Sequence, residues 1–176
     1  MPLWASNFGM STDIEKLVRD AVRAIKAEQS EPFREKKPIE TVTLDDAKFL
    51  ADKVEKKARE MGVNAVVAIA DEGGNLKLCE CMDNSYLASR DIAINKAYTA
   101  VALKMSTKKL SVLAAPGAPL YGIQHTNGGR IVIFGGGDPL EAHGKILGGL
   151  GVSGGSEEQD TALSLYGKRL FSEYFY

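Results

Sequence analysis

The densest chemistry in this sequence lies in one passage, Tyr121-Gly-Ile-Gln-His125-Thr-Asn-Gly-Gly-Arg130. An imidazole acts as a base or a metal ligand near neutral pH. A guanidinium pairs a carboxylate through two parallel hydrogen bonds. Glycines beside them let a flat ligand approach the backbone. An apolar stretch, Arg130-Ile-Val-Ile-Phe134, leads from this passage into a second glycine group, Gly135, Gly136 and Gly137. The pattern predicts one ligand pocket lined by Tyr121, His125, Asn127, Arg130, Gly135, Gly136 and Gly137, with His125 as the metal ligand. An alternative use of the same groups is enzymatic: His125 or Asp83 as a base and Arg130 as a clamp for a small organic acid, or action on an aldehyde. The plain reading of His125, a hydrogen-bonded surface residue, stands beside both.

Three other constellations carry less. Gly151-Val-Ser153-Gly-Gly155 matches the G-x-S-x-G nucleophile elbow. That hydrolase order places its histidine after the serine, whereas His125 and His143 both precede Ser153. The following Glu157, Glu158 and Asp160 already occupy the positive end of a helix dipole, so a phosphate would meet like charges there. Capping is the simpler use of these acids. Cys79 and Cys81 fall on one face of a strand and, with the two histidines, make four borderline zinc ligands. Their spacing matches no common zinc module, and their i, i+2 placement suits a disulfide poorly.

These residues need a scaffold, and the chain is long enough to build one. Its 176 residues are 44% hydrophobic and 26% charged, with a net charge of −1, which gives no bulk attraction to nucleic acid or anionic lipid. No apolar run suits a membrane span and no secretory leader pattern opens the chain, so a reduced cytoplasmic protein is expected. Residues 12–28 read as an amphipathic helix with the stripe Ile14, Leu17, Val18, Ala21, Val22 and Ile25, followed by a charged, proline-bracketed linker over residues 30–38. Residues 1–40 are thus expected to stand apart from a body at 41–176.

In the body, Thr43 and Asp46 predict a capped helix over residues 44–61 with the stripe Leu44, Ala47, Leu50, Ala51, Val54 and Ala58. Strands at 64–70 and 76–82 flank the turn Asp71-Glu-Gly-Gly-Asn75 as a hairpin. Residues 86–105 read as a long alanine-rich helix and 107–113 as a short one. A strand follows at 130–134, a loop at 135–139 and a strand at 145–153. Ser156 and Gln159 then form the capping box of a last helix. The order predicts an α+β fold with a mainly antiparallel sheet. Small residues on several faces of the 86–105 helix predict a homo-oligomer.

From Thr41 onward the body resembles the GlcG/HbpS-like heme-binding ("haem-degrading") family, in a form close to the C-terminal domain of PduO-type cobalamin adenosyltransferases. The resemblance rests on Thr43-Leu-Asp-Asp-Ala47, Val67-Ala-Ile-Ala-Asp-Glu-Gly-Gly-Asn75, Met82-Asp83, Ile92-Ala-Ile-Asn-Lys-Ala-Tyr-Thr-Ala100 and Pro116-Gly-Ala-Pro-Leu-Tyr-Gly122. It extends through Asn127-Gly-Gly-Arg-Ile-Val-Ile-Phe-Gly-Gly-Gly137 and residues 146–160. The resemblance implies a profilin-like or PAS-like fold, with a five-stranded antiparallel sheet flanked by helices, in a symmetric oligomer. It also implies binding of heme or, alternatively, a corrinoid by an accessory protein. No histidine precedes His125, so the first body helix offers no axial imidazole. No adenosyltransferase domain is present, so that activity is not expected. The N-terminal helix and linker are similar to peptides that address enzymes to bacterial microcompartments, which would make a shell protein the partner of residues 12–28. An oligomer arm is the alternative.

Overall fold

The computed structural model describes residues 40–174. The expected helix at residues 12–28 and its linker lie outside them.

Helix α1 (Leu44–Glu60) begins where the sequence says it should. The Thr43 hydroxyl accepts from the Asp46 amide at 3.2 Å, and the Asp46 carboxylate accepts from the Thr43 amide at 3.0 Å. The buried stripe is Ala47, Leu50, Ala51, Val54 and Ala58; Leu44, expected within it, is exposed because it sits at the first helical position, outside the packed face.

Strands β1 (Val66–Asp71) and β2 (Leu76–Cys81) form the hairpin. Asp71 closes its turn by accepting from the amides of Gly73 and Asn75 and from the Asn75 side chain. Burial works against the Asp71 charge, but these bonds outweigh it and hold the carboxyl below its usual range.

Helix α2 (Ser89–Ala102) is shorter than the expected 86–105 span and starts without a side-chain cap. Helix α3 (Thr107–Leu113) is capped by the Ser106 hydroxyl. Strands β3 (Gly137–Ala142) and β4 (Lys145–Ser153) form a second hairpin, and helix α4 (Glu157–Tyr174) closes the chain. Ser156 and Gln159 cap α4 reciprocally, as their spacing predicts.

Two strand assignments need correction. Residues 130–134 are not a strand, because a helix side chain takes the place of a ladder partner. The Thr99 hydroxyl on α2 accepts from the Val132 amide at 3.0 Å; its own proton lies between the Asn95 carbonyl at 2.7 Å and the Arg130 carbonyl at 3.2 Å. Conversely, Gly137, Asp138 and Pro139, read as loop, open β3. Proline is tolerated there because β3 is an edge strand. The described sheet therefore has four antiparallel strands in the order β2-β1-β4-β3, rather than the five that the family resemblance implied.

The sheet is covered on both faces. Val67 and Ile69 of β1, Leu140 of β3 and Leu150 and Val152 of β4 share a core with α1 and with Leu163 and Phe171 of α4. Val66, Ala68 and Ala70 point the other way, onto Ala93 and Ala97 of α2. α2 comes close enough to β4 that a Cβ on Gly151 would strike the Ala93 carbonyl and lie 2.6 Å from the Ala97 amide. Only glycine admits that approach.

Candidate functional site

The predicted site residues divide into two groups. Gly122, at φ +89°, turns the chain into two short 3-10 turns, Ile123–His125 and Asn127–Gly129. Between them the Thr126 hydroxyl donates to the Ile123 carbonyl at 2.6 Å. This fixes Tyr121, His125, Asn127 and Arg130 on one exposed loop.

Tyr98 of α2 organises that loop. Its phenol oxygen accepts from the Asn127 amide group at 3.1 Å, and the Arg130 guanidinium lies over its ring at 3.6 Å. Arg130 makes no ion pair among the described residues, so its donors remain available to an anion. His125 is exposed, with Nε2 3.4 Å from the Gln124 amide nitrogen. Gln124 Oε1 is buried and has no hydrogen-bond partner. A buried acceptor left unpaired is costly, so this atom marks a place where a further group fits.

Gly135, Gly136 and Gly137 face elsewhere. Added Cβ atoms would meet Glu157 and Thr161 at Gly135, Lys96 and Asp160 at Gly136, and Thr107 and Lys96 at Gly137. Residues 130–134, which link the two glycine groups, are not a strand. Neither described cavity contains Tyr121, His125, Asn127 or Arg130.

What the glycine group packs on is a buried ion pair. Lys96 of α2 is fully buried, with Nζ 2.9 Å from Asp160 Oδ2 and 2.7 Å from the Val152 carbonyl, and 4.9 Å from the Phe134 ring centre. Gly136, at φ +110°, leaves room for that ammonium, since a Cβ would lie 2.6 Å from Nζ. Burial pushes the Lys96 amine below the ordinary lysine range, and Asp160 and Glu157 pull it partly back. Asp160 Oδ1 also accepts from the Gly155 amide at 2.9 Å. Glu157 Oε1 accepts from the Gly135 amide and from Lys108, each at 3.0 Å, which holds its carboxyl below its usual value. The acids of α4 are thus engaged by this chain's own amides and lysines.

Beside this pair lie two cavities, of about 480 and 300 Å³, separated by Gly154 and Gly155. The larger is rimmed by Asn64, Asn84 and Gln159. The smaller has Phe134 and Ile92 as walls and Ser89 and Ser153 at its base. Ser153, the centre of the G-x-S-x-G motif, is buried, and its hydroxyl partner is Ser89 at 3.1 Å rather than an imidazole. Cys79 is half-buried and Cys81 exposed, both free, on edge strand β2; burial, then the neighbouring thiol, pushes Cys79 up to about 11. Among the described residues no three His, Cys, Asp or Glu side chains converge on a metal position.

Sequence reasoning missed Tyr98, Thr99 and Lys96. A signal for Lys96 existed: it shares the buried face of α2 with Ala93, Ala97 and Ala100, where a lysine is out of place unless paired.

Fold and loop together define a small α+β module, one antiparallel sheet between helices, carrying an exposed imidazole–guanidinium loop. The chain belongs to the HbpS-like family, described as haem degrading protein HbpS-like, whose model matches residues 42–168. An uncharacterized 15.0 kDa protein of the dhaT-dhaS intergenic region of Citrobacter freundii is 48% identical over 135 residues, 77% of this chain and 95% of that one. Corrinoid adenosyltransferase PduO of the same organism is 35% identical over 147 residues, 84% of this chain but only 42% of that protein. This chain therefore spans about two-fifths of that relative. The crystal structure of a PduOC:heme complex superposes with a TM-score of 0.71 at 37% identity, covering 73% of this chain and 94% of that one.

Proposed function

We propose that this chain binds a tetrapyrrole, with heme as the cofactor and a corrinoid as the alternative, as an accessory protein and not as an adenosyltransferase. The observation that carries the reading is the likeness to the PduOC:heme complex over nearly all of that chain.

The residues present fit such a group. His125 offers a surface imidazole to an iron, Arg130 offers unpaired donors to a propionate, and the Tyr121 ring, 66% exposed, offers an apolar face. Heme bound there would supply an iron open to ligand exchange and redox chemistry. Asn127, held by Tyr98, fixes the loop, and Gly135, Gly136 and Gly137 carry the backbone from it into β3. Neither of the two described cavities reaches this loop. The reading therefore includes a second copy of the chain as the covering surface, in a homo-oligomer, and a donor from that copy or from the ligand for Gln124 Oε1.

Hemin titration tests the assignment. A shifted, saturating Soret band is expected with the unaltered protein and with His143→Ala, and its loss with His125→Ala. A band unchanged in His125→Ala would remove His125 as the ligand.

For the location, the reading rests on the sequence of residues 1–40. Among the described residues no helix is long and apolar enough to cross a membrane. The apolar stripe of residues 12–28 and its proline-bracketed linker support an address to a microcompartment shell in the cytoplasm. Residues 1–37 fused to a fluorescent protein should collect in foci in cells making shells. A diffuse signal would leave the segment as an oligomer arm.

A further inference from the structure

The smaller cavity, of about 300 Å³, is not part of the tetrapyrrole reading and has a distinct chemistry. Its size is at the lower end of the roughly 300–1,000 Å³ that hold drug-sized ligands, so it suits a small molecule. Its walls are the rings and branches of Phe134, Ile92 and Tyr86. At its base the Ser89 and Ser153 hydroxyls, only 4% and 5% exposed as residues, stand 3.1 Å apart. One proton is shared between them. A second proton, and the lone pairs of both oxygens, remain for a ligand.

Charge narrows the class. The carboxylates at this cavity are Asp160 and Glu157, and each is already neutralised, by Lys96 and Lys108. A ligand cation would find no unpaired anion there. A ligand carboxylate would find no unpaired cation, because Lys96 and Lys108 are held by those acids and Arg130 does not line this cavity. An uncharged molecule meets neither penalty.

We propose that this cavity is a binding site for a small uncharged alcohol with an apolar body. The body lies against Phe134 and Ile92, and the hydroxyl completes the Ser89–Ser153 pair by donating to one oxygen and accepting from the other. Tyr86, which is 72% exposed, lines both cavities together with Gly154 and Gly155.

The test uses three probes of one shape with the full-length protein: benzyl alcohol, toluene and benzoate. Ligand-detected saturation-transfer NMR should show saturable binding of benzyl alcohol, with toluene and benzoate each at least about tenfold weaker, since a missing hydroxyl leaves the serine pair incomplete and a carboxylate loses its hydration with no cation to pair it. Ser89→Ala should bring benzyl alcohol down to the level of toluene. Phe134→Ala, at a residue 41% exposed, should weaken benzyl alcohol and toluene together in protein whose thermal melt stays cooperative. Equal binding of benzyl alcohol and toluene to the unaltered protein, tighter binding of benzoate, or insensitivity to Phe134→Ala would each overturn the proposal.

Discussion

Asp160→Asn should destabilise the protein by about 3–5 kcal/mol, the usual cost of leaving one partner of a buried ion pair alone. For a chain of this size that corresponds to roughly 6–20 °C in Tm. Lys96 cannot escape to water: it is fully buried between α2 and β4, and its only other strong acceptor is the Val152 carbonyl. Lys96→Met should cost a similar amount, because Asp160 would keep only the Gly155 amide. The double variant should be more stable than either single one, since the residual charge disappears with both partners. The pH dependence has a defined sign. The folded state holds the Lys96 amine below 10.5, so it binds fewer protons than the unfolded chain between the lowered value and 10.5, and stability rises with pH across that window. Asp160→Asn deepens the effect, and the variant should regain part of its loss between about pH 7 and about pH 10. Thermal melts of the four proteins at both pH values check this; single variants melting within a degree of the parent would show that the pair contributes nothing.

The second large effect is at Gly151. Its position on β4 faces the α2 backbone itself, so an added methyl meets the Ala93 carbonyl and the Ala97 amide and not a side chain that can rotate away. Gly151→Ala should cost about 3 kcal/mol, the upper end for overpacking, and Gly151→Val should leave no soluble folded protein. Gly144, in the β3–β4 turn, is the control. A Cβ there meets nothing within 4 Å, and Gly144→Ala carries only the strain of φ +73°, roughly 1–2 kcal/mol. Urea midpoints of the two alanine variants decide the matter: a smaller shift at Gly151 than at Gly144 would refute the close helix–sheet contact.

The parts of this fold written in local chemistry were legible in the sequence. Thr43 with Asp46, Ser156 with Gln159, and the Asp71 turn are capping and turn signals whose partners lie within four residues, and the structure makes those bonds. Where the partner is remote, reading failed. Residues 130–134 have a strand's composition, but their backbone is held by Thr99 on α2. Residues 137–139 have a loop's composition, yet they pair with β4 as an edge strand. The Lys96–Asp160 pair spans 64 positions and could be suspected only from a lysine on an alanine face. At the site, the loop from Tyr121 to Arg130 was visible as a cluster, whereas the Tyr98 ring that anchors it, and the separation of the glycine group from it, depend on how α2 crosses the sheet.

The strand order also sets the timetable by which this protein is made. The two hairpins close locally, but the centre of the sheet joins Val66 to Ser153, which lie in opposite halves of the body. Pairings so distant in sequence form late, after a costly loop closure. During synthesis the β1–β2 hairpin leaves the ribosome on the order of seconds before β4 exists, at about 5–20 residues per second. Throughout that interval β1 has one edge unpaired, because β4, the strand that pairs with it there, is still untranslated, and of its cover only α1 and later α2 have been made. The nascent chain is then at its greatest risk of associating with a neighbour, and β4, with its glycines already shaped to receive α2, ends that exposure when it arrives.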